Sequence, residues 1–244
     1  MRPQTPEPLF GGTPVNLRLR QFGALGMPSL GANEVARWTN SIHSNAIPYL
    51  VKALDERDAP LRKAYQSLWR ILPSWISNHF PPPIYAVKMR GAAVFGLSVI
   101  GQDARAAIPQ LIRLWKEEKD MGVRILVLRC LARIGEQDNR VTSAMIDSLN
   151  DKDPQVRRKV VEVLAWPGRE PADVVPALIS SLRDEWSTVR YEAAHSLCVF
   201  SNAAYAAVPE LLHALEDPVP FVRSEATNAL KQIAPEAAAK AGTK

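Results

Sequence analysis

Val189-Arg190-Tyr191-Glu192-Ala193-Ala194-His195-Ser196-Leu197 is one member of a series. Its Val-Arg dipeptide recurs as Val123-Arg124, Val156-Arg157 and Val222-Arg223, with a step of 33 residues each time. A fixed period of this length marks one supersecondary unit copied along an axis, each copy hiding its apolar face against the next. Four residues after the Arg come Val94, Leu128, Val161, Ala194 and Thr227, and seven after it come Leu97, Leu131, Leu164, Leu197 and Leu230. Ten after it come Ile100, Ile134, Pro167, Phe200 and Ile233. Apolar residues at spacings of three and four describe one buried face of an α-helix. Upstream, Pro109, Pro176 and Pro209 open a second helical pattern near its first turn, where a missing N–H costs nothing. The expected fold is therefore all-α, an α-α superhelix of antiparallel helical hairpins.

The turn between the two helices carries an acid five to six residues before the Arg, as in Asp151-Lys152-Asp153-Pro154, Asp184-Glu185-Trp186-Ser187 and Glu216-Asp217-Pro218. An Asp there can cap the second helix. Pairing of Asp151, Asp184 and Asp217 with Arg124, Arg157, Arg190 and Arg223 would tie successive copies together, a task suited to the fork of a guanidinium. A ligand-binding Arg need not recur in every copy, so these residues are assigned to a structural ladder.

In this register the chain resembles the HEAT-like repeats of the phycobilisome-lyase type, known from bacterial HEAT-repeat proteins. Residues 189–197 and Gly101-Gln102-Asp103-Ala104-Arg105-Ala106-Ala107-Ile108-Pro109-Gln110-Leu111 carry the likeness, which spans about residues 84–234. Upstream it weakens. Asn45-Ala46-Ile47-Pro48-Tyr49-Leu50 repeats the linker between copies, and Ala59-Pro60-Leu61-Arg62-Lys63-Ala64 looks like another second helix, so the array is expected to reach back to about residue 30. From Arg62 to Arg90 the step shrinks to 28, and Pro73 with Pro81-Pro82-Pro83 replaces one first helix by an irregular insert around Trp75 and Phe80. The expected organisation is a flexible Pro-rich tail over 1–13, a single solenoid over 14–235 (irregular over 14–100, regular over 101–235) and a C-terminal tail over 236–244.

The 244 residues are 47% hydrophobic, enough for a continuous core. Cys130 and Cys198 fall in non-adjacent copies and read as free thiols. Residues 1–14 hold Pro3, Pro6, Pro8 and Pro14 and no apolar stretch, hence neither a signal peptide nor a membrane span. As written, the chain is expected in the cytoplasm. The resemblance adds an alternative, since similar proteins can carry an apolar leader or anchor ahead of a stretch like Glu7 to Gly12, and a late start codon would hide it.

The net charge of +5 is uneven. Residues 1–120 hold 15 Lys/Arg against 9 Asp/Glu, a net of +6, and residues 121–244 hold 15 against 16, a net of −1. The basic excess includes Arg18, Arg20, Arg37, Arg62, Lys63, Arg70, Lys88 and Arg90 and could favour acidic partners, although +5 is modest beside a dedicated nucleic-acid binder.

Second helices usually line the concave face of such arrays, with residues one, two, five and nine after each Arg pointing outward. The fifth column reads Phe95, Arg129, Glu162, His195, Asn228, and the ninth reads Val99, Arg133, Trp166, Val199, Gln232. From these columns Arg129, Arg133, Arg158, Lys159, Tyr191 and His195 form the candidate partner-binding patch.

Signals of catalysis are thin. The histidines His43, His79, His195 and His213 include no pair three or four apart and no His-Glu dipeptide, which argues against a helix-borne metal site and against di-iron hydroxylases built on such repeats. There is no Gly-rich phosphate loop or nucleophile elbow. No cofactor is expected. Three functions stay open: a non-catalytic scaffold for a protein or peptide, a nucleic-acid binder like the HEAT-like alkylpurine DNA glycosylases, and a bilin lyase or its partner subunit, the last implied by the resemblance alone. The scaffold, as a monomer, is the leading expectation. The insert at 73–83 is a second candidate contact surface.

Overall fold

Apolar stripes at helical spacing, punctuated by Pro before first helices and by short polar turns, dictate a chain of helices. A computed structural model describes residues 8–10, 13–25 and 42–242. The supposed start of the array near residue 30, with Arg37 and Trp38, lies outside the described residues, as does most of the Pro-rich segment. Within that segment Leu9–Phe10 (β1) and Thr13–Pro14 (β2) form a short antiparallel ladder, with Leu9 opposite Pro14. Packing divides the chain into two units, Met1–Ile134 and Gly135–Lys244.

In the first unit the helices are Val15–Leu25 (α1), Ile47–Leu54 (α2), Pro60–Ile71 (α3), Ser74–Ser77 (α4), Ala86–Ile100 (α5), Ile108–Glu117 (α6) and Met121–Ile134 (α7). The second helices α5 and α7 stack side by side, and α6 packs on α7 as its hairpin partner. α5 also packs against α1 and α2, whereas among the described residues α3 packs extensively against no element. Sequence register makes α3 a second helix; in the structure α1 lies beside α5, with Val15 and Leu19 buried and the Lys88 ammonium donating to the Ala24 carbonyl (3.3 Å). Close packing of α5 also buries Gly91 and Ala92, two positions expected to face outward.

The second unit runs through Asn139–Asp147 (α8), Pro154–Leu164 (α9), Pro171–Ser181 (α10), Ser187–Val199 (α11), Val208–Ala214 (α12), Pro220–Ile233 (α13) and Pro235–Gly242 (α14). Here α9, α11 and α13 form a continuous row of second helices, backed by α10 on α11 and α12 on α13. The column seven residues after each Arg is the spine of both units: Leu97, Leu131, Leu164, Leu197 and Leu230 are all buried. Each buried Leu contributes about 1.5–3 kcal/mol of transfer free energy.

Two expectations about local structure need correction. Pro109 and Pro209 do stand in the first turns of α6 and α12, but Pro176 lies inside α10, which opens five residues earlier at Pro171. In the other copies the stretch before the Pro is a 3-10 turn, Gly101–Ala107 or Ser201–Ala207; in this one it is already α-helical. Asp153 does cap α9, accepting from the Gln155 N–H at 2.8 Å, but the acids six residues before each Arg do not cap the second helix. The Asp184 and Asp217 carboxylates accept from the N–H groups of Trp186 and Val219 at 2.8 Å, one residue ahead of the helix proper. Among the described residues both cysteines are free, and no helix is long and apolar enough to cross a membrane.

Candidate interaction surface on the second helices

Each turn acid can serve two sets of donors because a carboxylate offers about four lone-pair sites. Asp184 uses one oxygen for the Trp186 N–H and both for the Arg157 fork, with Nε to Oδ2 at 2.7 Å and Nη2 to Oδ1 at 2.9 Å. The remaining Arg157 nitrogen, Nη1, donates to the carbonyls of its own turn, Asp151 at 2.9 Å and Lys152 at 3.4 Å. The next copy repeats the geometry: Arg190 grips Asp217 at 2.6 and 2.9 Å and the Asp184 carbonyl at 2.8 Å. Arg223 keeps only the backbone half, donating to the Asp217 and Pro218 carbonyls. Arg157 and Arg190 thus each join one turn to the next.

The first unit contains a variant of this joint. Arg90 Nε donates to Glu118 at 2.6 Å, and Glu118 accepts from the N–H groups of Lys119 and Asp120. Its Nη1 reaches the Glu56 carbonyl at 2.8 Å, because the insert removes the turn from which the other arginines take their carbonyls. Arg124 lies over the Trp115 ring at 4.9 Å, and Asp151 accepts from the Asp153 N–H. Glu118 stands six residues before Arg124, in the same column as the turn acids Asp151, Asp184 and Asp217.

Electrostatics follow from the geometry. Burial alone would raise the Asp184 and Glu118 carboxyls, but the arginine bonds, backbone N–H groups and arginine charges together hold both below their ordinary values. The Arg190 hydrogen bond, against a smaller cost of burial, depresses Asp217 likewise.

The outward columns of α9, α11 and α13 form the candidate surface. Tyr191 lies parallel to His195 (centroids 6.2 Å apart, 4° between planes) and edge-on to Phe221 of the neighbouring helix (5.8 Å, 72°). Both geometries fall within favourable aromatic arrangements. His195 is more than half exposed, and its Nδ1 is 2.8 Å from Glu225. Arg158 pairs with Glu192 at 3.4 Å, and Lys159 with Glu162 at 2.5 Å. Burial and the charge of Glu162 raise the Glu192 carboxyl against the pull of Arg158 and His195. The charges of Glu225 and Glu192, with some burial, likewise raise the Tyr191 phenol.

Of the predicted patch, this face brings together Arg158, Lys159, Tyr191 and His195. Arg129 and Arg133 are exposed on α7, in the first unit. The partners Glu192, Glu225 and Phe221 were not singled out from sequence. Glu192 and Glu225 sit two residues after their arginines, a column recognised as outward, whereas Phe221 lies two residues before Arg223, where no outward column was read.

The described residues hold no cluster of three or more potential metal ligands. Burial pushes the Cys130 thiol up to about 12 and the Cys198 thiol up to about 11, so both are protonated at neutral pH. Arg169, buried outside the ladder, donates from Nη2 toward the Met145 sulfur at 3.5 Å and shares a shallow recess with Glu136, Glu170 and Asp173.

Stacked hairpins with a spine of leucines and an arginine at each joint define a helical repeat protein of the solenoid class. The HEAT repeats family matches residues 86–165, 142–203 and 175–241, more than half of the chain, and the chain belongs to that family. Among solved structures, the karyopherin Kap121p bound to the SUMO protease Ulp1p is similar over 91% of this chain at 16% identity, with a TM-score of 0.54. This chain spans only 26% of the karyopherin, and the likeness is one of fold. The complex of CpcE and CpcF of phycocyanin lyase from Nostoc sp. PCC7120 matches at 22% identity over 64% of this chain and 62% of that one, with a TM-score of 0.46. An engineered protein matches at 22% identity over 81% and 85%, with a TM-score of 0.43. No curated protein sequence matches.

Proposed function

We propose that this protein is a non-catalytic scaffold that binds a protein or peptide across the outward face of α9, α11 and α13. The observation that carries the reading is the aromatic run Tyr191, His195 and Phe221, which crosses two adjacent helices of a rigid stack while remaining accessible. Aromatic residues on a preordered surface lose little entropy on binding and are enriched where partners dock. Three carboxylates, Glu162, Glu192 and Glu225, stand on this face against Arg158 and Lys159, a balance that suits a polypeptide with basic side chains better than a polyphosphate. Arg129 and Arg133, exposed on α7, are a separate candidate contact within the first unit.

The test is affinity purification of the intact chain with mass spectrometry of what co-purifies, run beside Tyr191→Ala/Phe221→Ala and Arg129→Glu/Arg133→Glu. A specific partner lost at least tenfold from the aromatic variant, with helix content unchanged by circular dichroism, is the expected result. Retention of every partner by that variant overturns the reading. Mobility shift with duplex DNA at low ionic strength, abolished by salt, would replace it with the nucleic-acid alternative.

A further inference from the structure

The helix α3 keeps its polar residues inward and its large apolar residues exposed. In α3 the polar residues face inward: Arg62 pairs with Glu56 (3.3 Å), Gln66 donates to Asp58 (2.9 Å) and to the Ile84 carbonyl (2.8 Å), and the Tyr65 hydroxyl donates to the Pro81 carbonyl. The apolar residues face water, with Leu61 86% and Ile71 77% exposed and Leu68 about half exposed. The following turn adds Trp75, 70% exposed, and Phe80. Among them stand the exposed cations Lys63 and Arg70. From Ala59 to Gln102 the chain carries no Asp or Glu at all. The nearest acids are already engaged, Glu56 and Asp58 with Arg62, Asp55 with Arg113 and Glu117 with Arg57.

We propose that the α3–α4 corner is a peripheral docking site for an anionic lipid bilayer. An amphipathic helix with exposed Leu, Ile and Trp beside Lys and Arg is the pattern that lies in the plane of a bilayer interface, its apolar side chains among the acyl chains and its cations at the headgroups. An apolar groove on a protein would match the leucines without needing an acid-free stretch. A negatively charged surface does need it, because any carboxylate there is repelled. Attachment is peripheral, since no described helix can span. The site lies in the first unit and does not depend on the scaffold face of the second.

The experiment is co-sedimentation of the full chain with vesicles of phosphatidylglycerol and phosphatidylcholine mixed equally, against pure phosphatidylcholine. Expected are pelleting with the anionic vesicles only, release by 0.5 M salt, and at least about a tenfold loss of partitioning in Leu61→Asp/Ile71→Asp and in Lys63→Glu/Arg70→Glu. All four residues are exposed or nearly so, so both variants should keep wild-type helix content. Trp75 should add a blue shift of emission on vesicle binding that is missing from Trp75→Phe. Failure to pellet with anionic vesicles at low salt overturns the proposal. So does undiminished binding by both variants. A dimer in light scattering that Leu61→Asp/Ile71→Asp turns to monomer, with no vesicle binding, would assign the face to a second copy instead.

Discussion

At the scale of the residue, Arg157 shows why the ladder matters to stability. The residue is 6% exposed, and its guanidinium is held by the Asp184 fork, by the Glu185 carboxylate at 3.1 Å and by two carbonyls. Asp184→Ala removes the fork and leaves the buried cation with the Glu185 carboxylate and two carbonyls. The loss should approach the lower end of the roughly 3–5 kcal/mol that breaking a buried pair costs. The urea midpoint should fall accordingly, with the slope unchanged. Replacing both members by apolar residues, Arg157→Met/Asp184→Leu, should recover much of that loss, because the desolvation cost of both charges disappears as well. A double variant as unstable as Asp184→Ala would show that the backbone bonds of Arg157, not its ion pair, hold the joint. Arg183, fully at the surface in its pair with Glu210, provides the contrast: Arg183→Ala should leave the midpoint where it was.

At the scale of the element, the repeat explains how second helices stop. The residue eleven after Arg90, Arg157 and Arg190 is Gly101, Gly168 and Ser201, with φ of +73°, +89° and +46°. A left-handed residue ends a helix and aims the chain back for the next first helix. Serine occupies that conformation at a cost of about 1–2 kcal/mol that glycine avoids, partly offset by the greater freedom of glycine in the unfolded chain. Ser201→Gly should therefore raise stability by about 0.5–1 kcal/mol, read as a higher Tm. Gly101→Ala should lower it by about 1–3 kcal/mol through backbone strain alone, because nothing lies within 4 Å of the added methyl. A Tm unmoved by both changes would break this account. Hairpins, spine and joint acids were legible because a period multiplies each weak signal five times. The place of α1 beside α5 was not: Val15–Leu25 belongs to no period, and nothing local in α3 says that another helix takes its neighbour's side.

At the scale of the whole molecule, charge follows the units more sharply than it follows the sequence midpoint. Residues 1–134 carry 18 Lys/Arg against 9 Asp/Glu, a net of +9, and residues 135–244 carry 12 against 16, a net of −4. Of the charges in the candidate patch, only the cations are legible in the sequence. Cations are visible in any column, but the carboxylates that accept Arg158 and Lys159 come from register and fold. The joint carboxylates set how the molecule responds to acid. Glu118 in one unit and Asp184 and Asp217 in the other are all depressed below their ordinary values. A carboxylate depressed in the native state adds stability above its unfolded value, near 4, and that stability is lost as pH falls through the native values. Glu192, raised by burial, has the opposite sign and gains a little as pH drops toward its elevated value. The Tm should therefore be nearly level from pH 7 to 5 and fall steeply below about 4. Asp184→Asn/Asp217→Asn, lacking the groups that titrate, should start from a lower Tm at pH 7 and show a flatter acid limb. If its acid limb is as steep as that of the parent, the joints are not what acid unfastens, and general repulsion among the 30 cations must be responsible instead.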